Sequence, residues 1–143
     1  MKAFICTICG HIAFEKAPEK CPVCGATTFT QNDDVFKEAA EKSKEAAVKH
    51  IPDITVKKEC KLIPETGCLD VIVRIGKTLH PMEEKHHIEF IDGYVDGIFI
   101  SRVYLTPNVN PAACFHIRTK GKKMIVVEKC NLHGHWMSEA AVG

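Results

Sequence analysis

The sequence predicts a mainly β protein, in which an antiparallel β-sandwich follows a small four-cysteine metal module and a connecting helix. Two Cys-x-x-Cys pairs lie within residues 1–31, and short runs of alternating apolar residues recur from residue 54 onward. Helical patterning is confined to the stretch between these two regions. We therefore expect two modules of different size joined by one helix.

Composition narrows the possible partners and the compartment. The 143 residues include 19 Lys and Arg against 18 Asp and Glu, so net charge does not favour nucleic acid or a membrane surface as a partner. The start, MKAFICTICG, lacks the apolar run of a secretory signal, and we expect a cytoplasmic protein. Eight cysteines in a reducing compartment indicate metal or redox chemistry rather than disulfides.

The first module, residues 1–31, contains a predicted metal site. Two C-x-x-C turns facing each other can present four thiolates to one tetrahedral ion, and so small a module needs the metal to fold. The spacing is compatible with zinc in a structural site and with iron in an electron carrier. The predicted ligands are Cys6, Cys9, Cys21 and Cys24.

The connector, residues 32–48, is predicted to be helical. The stretch from Asp33 to Lys49 is rich in Ala, Glu and Lys, and Glu38 is spaced to meet Lys42 on a helix surface. Its apolar residues are mostly small, so only one narrow side can bury well. We interpret it as a solvated spacer helix between the modules.

The second module, residues 49–143, has the alternation of half-buried strands. At least six strands are predicted with no helix between them, which fits an immunoglobulin-like antiparallel sandwich of roughly 90 residues. Turn signals separate the strands, among them DG at 92 and at 96. The predicted strands are residues 54–62, 69–75, 86–92, 98–105, 113–118 and 123–129.

Some cysteines and histidines are predicted to have no metal role. Cys60, Cys68 and Cys114 lie in or beside strands without partners at ligand spacing, so we expect free, buried or half-buried thiols. His11 follows a Cys-x-x-Cys turn and His116 lies within a strand. Both are interpreted as ordinary polar residues.

The remaining histidines cluster in motifs of the second module. His50 precedes its first strand, His80 and His86 bracket HPMEEKH, and the last turn, CNLHGHW at 130–136, combines a cysteine with two histidines. Four imidazoles and one thiolate exceed a tetrahedral zinc set, and they would leave one position open on octahedral iron. Packed histidines that share no metal are the alternative that the spacing leaves open.

Three ordered motifs carry a family resemblance. KHIP at 49–52, HPMEEKHHIEFI at 80–91 and CNLHGHW at 130–136 resemble the ligand motifs of superoxide reductases, the neelaredoxin and desulfoferrodoxin family. CTICGHIAFEKAPEKCPVCGA in the first module resembles the rubredoxin-like module of rubrerythrins, which binds one iron. The second resemblance favours iron over zinc in the four-cysteine site.

The resemblance implies a reaction and its residues. Superoxide would be reduced to hydrogen peroxide, with Lys49 attracting the anion, and a donor such as rubredoxin would restore the reduced state. His87 and His135 would be neighbours of the site rather than ligands, and the protein would be a dimer or tetramer. The implied iron ligands are equatorial His50, His80, His86 and His133, and axial Cys130.

One position departs from the family pattern. A glutamate usually precedes the Lys-His pair and can occupy the sixth position of ferric iron, whereas this chain has Val48. Water, hydroxide or a carboxylate such as Glu45, Glu83 or Glu84 would have to take that place. The competing interpretations are a non-catalytic iron electron carrier or metal-binding protein, and a zinc-ribbon interaction protein whose sandwich merely packs its histidines.

Overall fold

A computed structural model of the chain describes residues 1–43, 47–118 and 121–143. The first module is a three-stranded antiparallel sheet in the order β2-β1-β3, from which two Cys-x-x-Cys turns project. Gly10 and Gly25 close these turns with φ of +77° and +78°, a conformation that side chains with a Cβ rarely adopt. The strands are β1 (Ala3–Cys6), β2 (Ile12–Phe14) and β3 (Phe29–Gln31).

The connector is not one continuous helix. Helix α1 spans Val35–Lys42 and the short helix α2 spans Ala47–His50, while Ser43 between them leaves helical geometry with ψ of 50°. Serine competes for backbone hydrogen bonds and so favours helix ends. The predicted narrow apolar side is confirmed, because Val35 and Ala39 are the buried residues of α1. Residues 44–46, which include Glu45, lie outside the described residues.

No helix among the described residues is long and apolar enough to cross a membrane.

The second module is a two-layered antiparallel sandwich, as predicted. One sheet has the order β10-β9-β6-β7 and the other the order β4-β5-β8. All pairings are antiparallel. The strands are β4 (Pro52–Lys57), β5 (Leu69–Ile75), β6 (Ile88–Val95), β7 (Ile98–Tyr104), β8 (Ala112–Ile117), β9 (Lys123–Cys130) and β10 (Gly134–Ala141).

The two sheets enclose an aliphatic core. Val71, Val73 and Ile75 alternate along β5 and are fully buried against Ile91 of β6 and Val126 of β9. This two-residue period is the alternation from which the strands were predicted. Burial of this kind holds the ends of β5 and β9, near which the histidine motifs lie, in one position.

Three details of the prediction were wrong. Strand β4 ends at Lys57 rather than at residue 62, just before Lys58, which interrupts the alternation. The DG pair at 92 lies inside β6 and not in a turn. A Cβ on Gly93 would lie only 3.0 Å from the side chains of Phe115 and Met124, so glycine makes room for both. Strand β10 was not predicted, because GHWMSEAA lacks the usual β-branched residues.

A buried ion pair docks the first module onto the larger sheet. Asp92 of β6 is fully buried, and the Arg102 guanidinium donates to its two carboxylate oxygens at 2.6 and 2.8 Å. Arg102 also donates to the carbonyl of Cys9 at 3.0 Å, and His11 Nδ1 lies 3.0 Å from Asp92 Oδ2. One carboxylate therefore organises contacts with both sides of the junction.

Further contacts join the same two surfaces. The Tyr94 hydroxyl donates to the carbonyl of Ile12 at 2.6 Å, and His135 Nε2 donates to the carbonyl of Gly10 at 2.8 Å. Ile12 and Tyr94 share an apolar cluster with Val127 of β9. The four-cysteine module is thus packed on the sandwich by buried polar and apolar contacts.

We predict that Arg102→Ala lowers the free energy of unfolding by about 3 kcal/mol or more, because it leaves the Asp92 carboxylate buried without its cation. Lys123→Ala is the matched control, since it removes the exposed pair with Glu139 and should cost about 1 kcal/mol or less. Denaturant titration of the metal-loaded chains measures both. Equal losses would contradict a structural role for the buried pair.

Candidate metal centre

The five predicted ligands of the second module come from different segments that converge at one end of the sandwich. His50 ends helix α2, His80 lies in the loop after β5, and His86 precedes β6. Cys130 ends β9, and His133 lies in the β9–β10 turn.

The four imidazoles form a nearly square array. Adjacent ring centroids are 4.7 Å apart for His50 and His80, and 4.6 Å for His80 and His86. The His133 ring lies 5.0 Å from both His86 and His50, which closes the square. The diagonal from His50 to His86 is 6.3 Å. Rings in this arrangement can direct four nitrogens at one ion.

Cys130 supplies the fifth donor. Its sulfur and the ligand atoms of His50, His80 and His86 all lie within 4.8 Å of one another, and Sγ is 3.8 Å from His133 Nδ1. Cys130, His50 and His80 are buried, whereas His86 and His133 are partly exposed. The thiol therefore lies on the buried side of the centre, and solvent reaches the centre on the side of His86 and His133.

Unpartnered ring nitrogens test whether a metal fits. Within the part of the chain that the structure describes, three buried nitrogens have no hydrogen-bond partner: His50 Nδ1, His80 Nε2 and His86 Nε2. His80 Nδ1 donates to the carbonyl of Pro81 at 2.7 Å, so its Nε2 carries a free lone pair. His50 Nδ1 lies 3.6 Å from Glu128 Oε2, whereas Nε2 of His80 and Nε2 of His86 are costly to bury unless a metal binds them. The donor set fits iron.

The protonation states agree with metal ligation. Burial, with a smaller contribution from neighbouring imidazoles, lowers the pKa of His50 to about 3 and that of His80 to about 4. Burial also lowers the pKa of His86 and raises that of the Cys130 thiol. The imidazoles of His50, His80 and His86 are thus neutral donors at pH 7, while the Cys130 thiolate needs a cation beside it.

A close backbone contact brings His80 to His50. Gly76 has φ of +85°, and a Cβ there would lie 2.5 Å from the Lys49 carbonyl oxygen. The Thr78 amide donates to the carbonyl of Val48, and the Gly76 amide donates to that of Ile51. Glycine at this position lets the loop after β5 lie directly on helix α2.

Asn131 ties the His86 loop to the Cys130 turn. Its amide nitrogen donates to the carbonyl of Lys85 at 3.0 Å, and its amide oxygen accepts from the His87 backbone at 2.9 Å. The Asn131 backbone also donates to the carbonyl of His87. The asparagine beside the thiol therefore fixes where His86 lies.

Two further residues contact the centre but had no predicted role. Trp136 stacks on His50, with centroids 4.8 Å apart and an interplanar angle of 9°, and its indole donates to the carbonyl of His133. Glu128 is fully buried with both oxygens unpartnered among the described residues, and Oε2 lies 3.6 Å from His50 Nδ1. A glutamate inside the apolar run MIVVEKC was the signal that could have identified it.

Charge near the centre is supplied by Lys49 and Glu83. Lys49 is exposed, yet its positive charge contributes to the lowered pKa values of His50, His80 and His86, after burial. Glu83 acts on His86 in the opposite direction. Val48, which directly precedes Lys49 where family members usually have a glutamate, is 48% exposed.

The four predicted ligands of the first module also converge. Their sulfur atoms lie within 4.8 Å of one another, with Cys6 and Cys24 at 3.6 Å and Cys9 and Cys21 at the same distance. These separations suit tetrahedral sulfur ligation of iron or zinc. His11 contacts Asp92 rather than this cluster, in line with its predicted polar role.

The prediction for the remaining cysteines and histidines was partly wrong. Cys60, Cys68 and His116 are not isolated, because their ligand atoms and that of Asp70 lie within 4.8 Å of one another. Strand pairing between β5 and β8 brings Asp70 opposite His116, a contact that sequence spacing does not reveal. Cys114 is exposed and does not join this cluster.

The comparisons with known proteins agree with this geometry. The desulfoferrodoxin family profile matches residues 40–139, and that of the rubrerythrin rubredoxin-like domain matches residues 4–28. This chain belongs to the desulfoferrodoxin family. As a member with an N-terminal rubredoxin-like domain, it has the family's iron donor set in the second module and a second, four-cysteine metal site in the first.

Individual relatives extend the comparison. The chain is 33% identical over 141 residues to a desulfoferrodoxin of Syntrophotalea carbinolica, covering 97% of this chain and 96% of the relative. It is 34% identical over 103 residues to a superoxide reductase of Pyrococcus horikoshii, covering 64% and 84%. A superoxide reductase structure from Nanoarchaeum equitans superposes with a TM-score of 0.56 at 28% identity, covering 66% of this chain and 93% of that one.

We predict that Cys130→Ser removes the sulfur-to-iron charge-transfer absorption of the oxidised second site, because a serine oxygen cannot give this transition. Absorption from the four-cysteine site should remain. Cys114→Ser, an exposed cysteine outside the array, is the control and should leave the spectrum unchanged. Persistence of the band in Cys130→Ser would show that a sulfur other than that of Cys130 is the ligand.

Proposed function

We propose that this protein is a superoxide reductase, which adds one electron and two protons to superoxide to give hydrogen peroxide. The observation that carries the proposal is the square of four imidazoles with the Cys130 thiol beside it. Five protein donors leave one position free on an octahedral ion. The similarity to proteins named superoxide reductase supports the same conclusion.

Bound at this centre, iron would supply the electron and one coordination position for the superoxide anion. The chain determines from which side an anion can approach: Cys130 is fully buried, whereas His86 and His133 are partly exposed, so a small anion would reach the centre on their side. Cys130 would hold the iron as a thiolate, and its electron donation would favour release of the product. Protons reach the half-exposed side of the array from solvent.

Lys49 is proposed to attract superoxide. It is exposed and directly precedes His50, and its charge already acts on three of the imidazoles. A cation beside a cleft raises the local concentration of an anionic substrate. Its role is to guide and hold the anion, because its ammonium group is not a metal ligand.

Val48 changes what can occupy the open position after the reaction. Its isopropyl side chain cannot ligate, so water, hydroxide or the nearby Glu83 carboxylate is proposed to take that place in the oxidised state. The reduced state needs an open position and no carboxylate. Reductase activity is therefore compatible with valine here.

A one-electron donor must restore the reduced state after each turnover. We propose a small rubredoxin-type protein, as the family resemblance implies. The alternative function is a non-catalytic electron carrier or metal-binding protein, and it would require both metal sites to be saturated by protein ligands. Binding of azide to the oxidised second site, seen as a change in its absorption, separates the two.

Rapid mixing of the reduced protein with superoxide tests the proposed reaction. We expect loss of the reduced state at the second site and formation of one hydrogen peroxide for each superoxide consumed, without dioxygen. Peroxide and dioxygen are measured in the same sample. Half a dioxygen and half a peroxide for each superoxide consumed would indicate dismutation instead, and no reaction would favour the carrier.

We predict that Lys49→Ala slows the bimolecular reaction with superoxide roughly tenfold and weakens its dependence on ionic strength, because the attracting charge is lost. Lys49→Arg keeps the charge and should retain most of the rate. Stopped-flow or pulsed generation of superoxide at several salt concentrations measures both effects.

Lys122→Ala is the matched control for the loss of one positive charge. Lys122 is exposed and precedes β9, whereas Cys130 ends that strand, so the two lie about 20 Å or more apart. Its rate should equal that of the unchanged protein. If Lys49→Ala and Lys122→Ala behave alike, net charge rather than Lys49 attracts the anion.

A further inference from the structure

A second cluster of metal-ligating side chains lies outside the two sites described above. Cys60 belongs to the loop after β4, Cys68 directly precedes β5, Asp70 is in β5 and His116 is in β8. One ligand atom from each lies within 4.8 Å of the other three. Sequence distance hides this cluster, because 46 residues separate the paired strand positions Asp70 and His116.

The separations fit tetrahedral coordination. His116 Nδ1 lies 3.4 Å from Cys60 Sγ and 3.6 Å from Cys68 Sγ, and Cys68 Sγ lies 3.6 Å from Asp70 Oδ1. Zinc bonds of about 2.0–2.3 Å place tetrahedral ligand atoms roughly 3.3–3.8 Å apart. The paired sulfurs of the four-cysteine site are 3.6 Å apart as well. Asp70 Oδ1 and His116 Nδ1, at 2.8 Å, would have to separate slightly.

Three potential hydrogen-bond acceptors surround one ring nitrogen in this cluster. His116 Nδ1 can carry one hydrogen, yet two sulfurs and one carboxylate oxygen lie around it. Cys60 Sγ additionally accepts a hydrogen bond from the Ile63 amide at 3.4 Å. Convergence of several potential anions on one nitrogen is the arrangement that a cation would stabilise.

The burial of the thiols and the charge of their neighbours also favour a cation in this cluster. Cys60 and Cys68 are 5% and 3% exposed, although the surrounding residues 57–59 and 61–67 are exposed. Both thiols also lie within 4.8 Å of the Asp70 carboxylate. A divalent cation bound between them would attract two thiolates and a carboxylate that otherwise repel one another.

The cluster is separate from the iron array. Asp70 lies at the start of β5, whereas the loop that carries His80 follows the other end of the strand at Ile75. Five strand residues span about 17 Å. A metal in this cluster would therefore be neither a part nor a neighbour of the four-histidine, one-cysteine centre.

We propose that the chain has a third metal site, for zinc or a similar tetrahedral divalent cation, whose ligands are Cys60, Cys68, Asp70 and His116. Two thiolates, an imidazole and a carboxylate are a donor set that zinc accepts, and four protein ligands leave no open position. The role is structural. The site fixes the long loop between β4 and β5, residues 58–68, to strand β8.

Metal analysis of the full chain tests the proposal. Protein made with iron and zinc available, and purified under reducing conditions, should contain three metal ions per chain. Cys60→Ser/Cys68→Ser should contain two, with the absorption of the iron centre unchanged. Cys114→Ser is the matched control, because this exposed cysteine lies on β8 near the cluster but outside it, and it should retain all three.

A second measurement does not depend on folding of the double variant. Cobalt added to the iron-loaded wild-type chain should give tetrahedral visible bands and a charge-transfer absorption matching two thiolates. Asp70→Asn and His116→Gln, which nearly keep the side-chain shape, should bind cobalt at least tenfold more weakly.

Several results would overturn the site. Only two metals in the wild-type chain with zinc supplied would contradict it, and so would a third metal that persists in Cys60→Ser/Cys68→Ser. A disulfide between Cys60 and Cys68 under the same reducing conditions, seen by intact mass, would identify the pair as redox partners instead.

Discussion

Buried ring nitrogens that lack hydrogen-bond partners are the constraint on which this structure depends. Within the described part of the chain, Nε2 of His80 and Nε2 of His86 have no partner, and His50 Nδ1 has Glu128 Oε2 nearby at 3.6 Å, beyond hydrogen-bond distance. Each would cost about 1–3 kcal/mol if it stayed unpaired. Burial keeps these imidazoles neutral, so they are ready to bind a metal and unable to hold one another by charge. The metal thus stabilises the end of the sandwich as well as providing its chemistry.

Contacts within the sandwich and contacts with the first module both help to position the ligand-bearing segments. Contacts of Gly76 with the helix α2 backbone and of Asn131 with the His86 loop bring separate segments together before any ion binds. Trp136 stacked on His50 fixes the orientation of one ring. His135, two residues after His133 in β10, donates to the carbonyl of Gly10. This hydrogen bond joins the segment that carries His133 to a metal-binding turn of the first module.

Much of the fold and of the centre could be predicted, because their signals lie within short stretches of sequence. Alternation along β5 follows directly from burial of one face, and three compact motifs contain all five proposed ligands of the iron centre. The residues that were missed depend on tertiary contacts. Glu128 reads as one polar residue in an apolar run, and Cys60 and His116 become neighbours only when β5 pairs with β8. Strand β10 has composition closer to a helix, and its pairing with β9 overrides that preference.

The central claim is that four imidazoles and one thiolate hold a single iron with one position open. A crystal structure of the reduced, iron-loaded protein, with anomalous data at the iron edge, tests it most directly. We predict one iron in this centre bound by His50, His80, His86, His133 and Cys130, with no protein ligand opposite the sulfur. A four-coordinate metal that leaves out one of these side chains, or a sixth protein ligand opposite Cys130, would contradict the account.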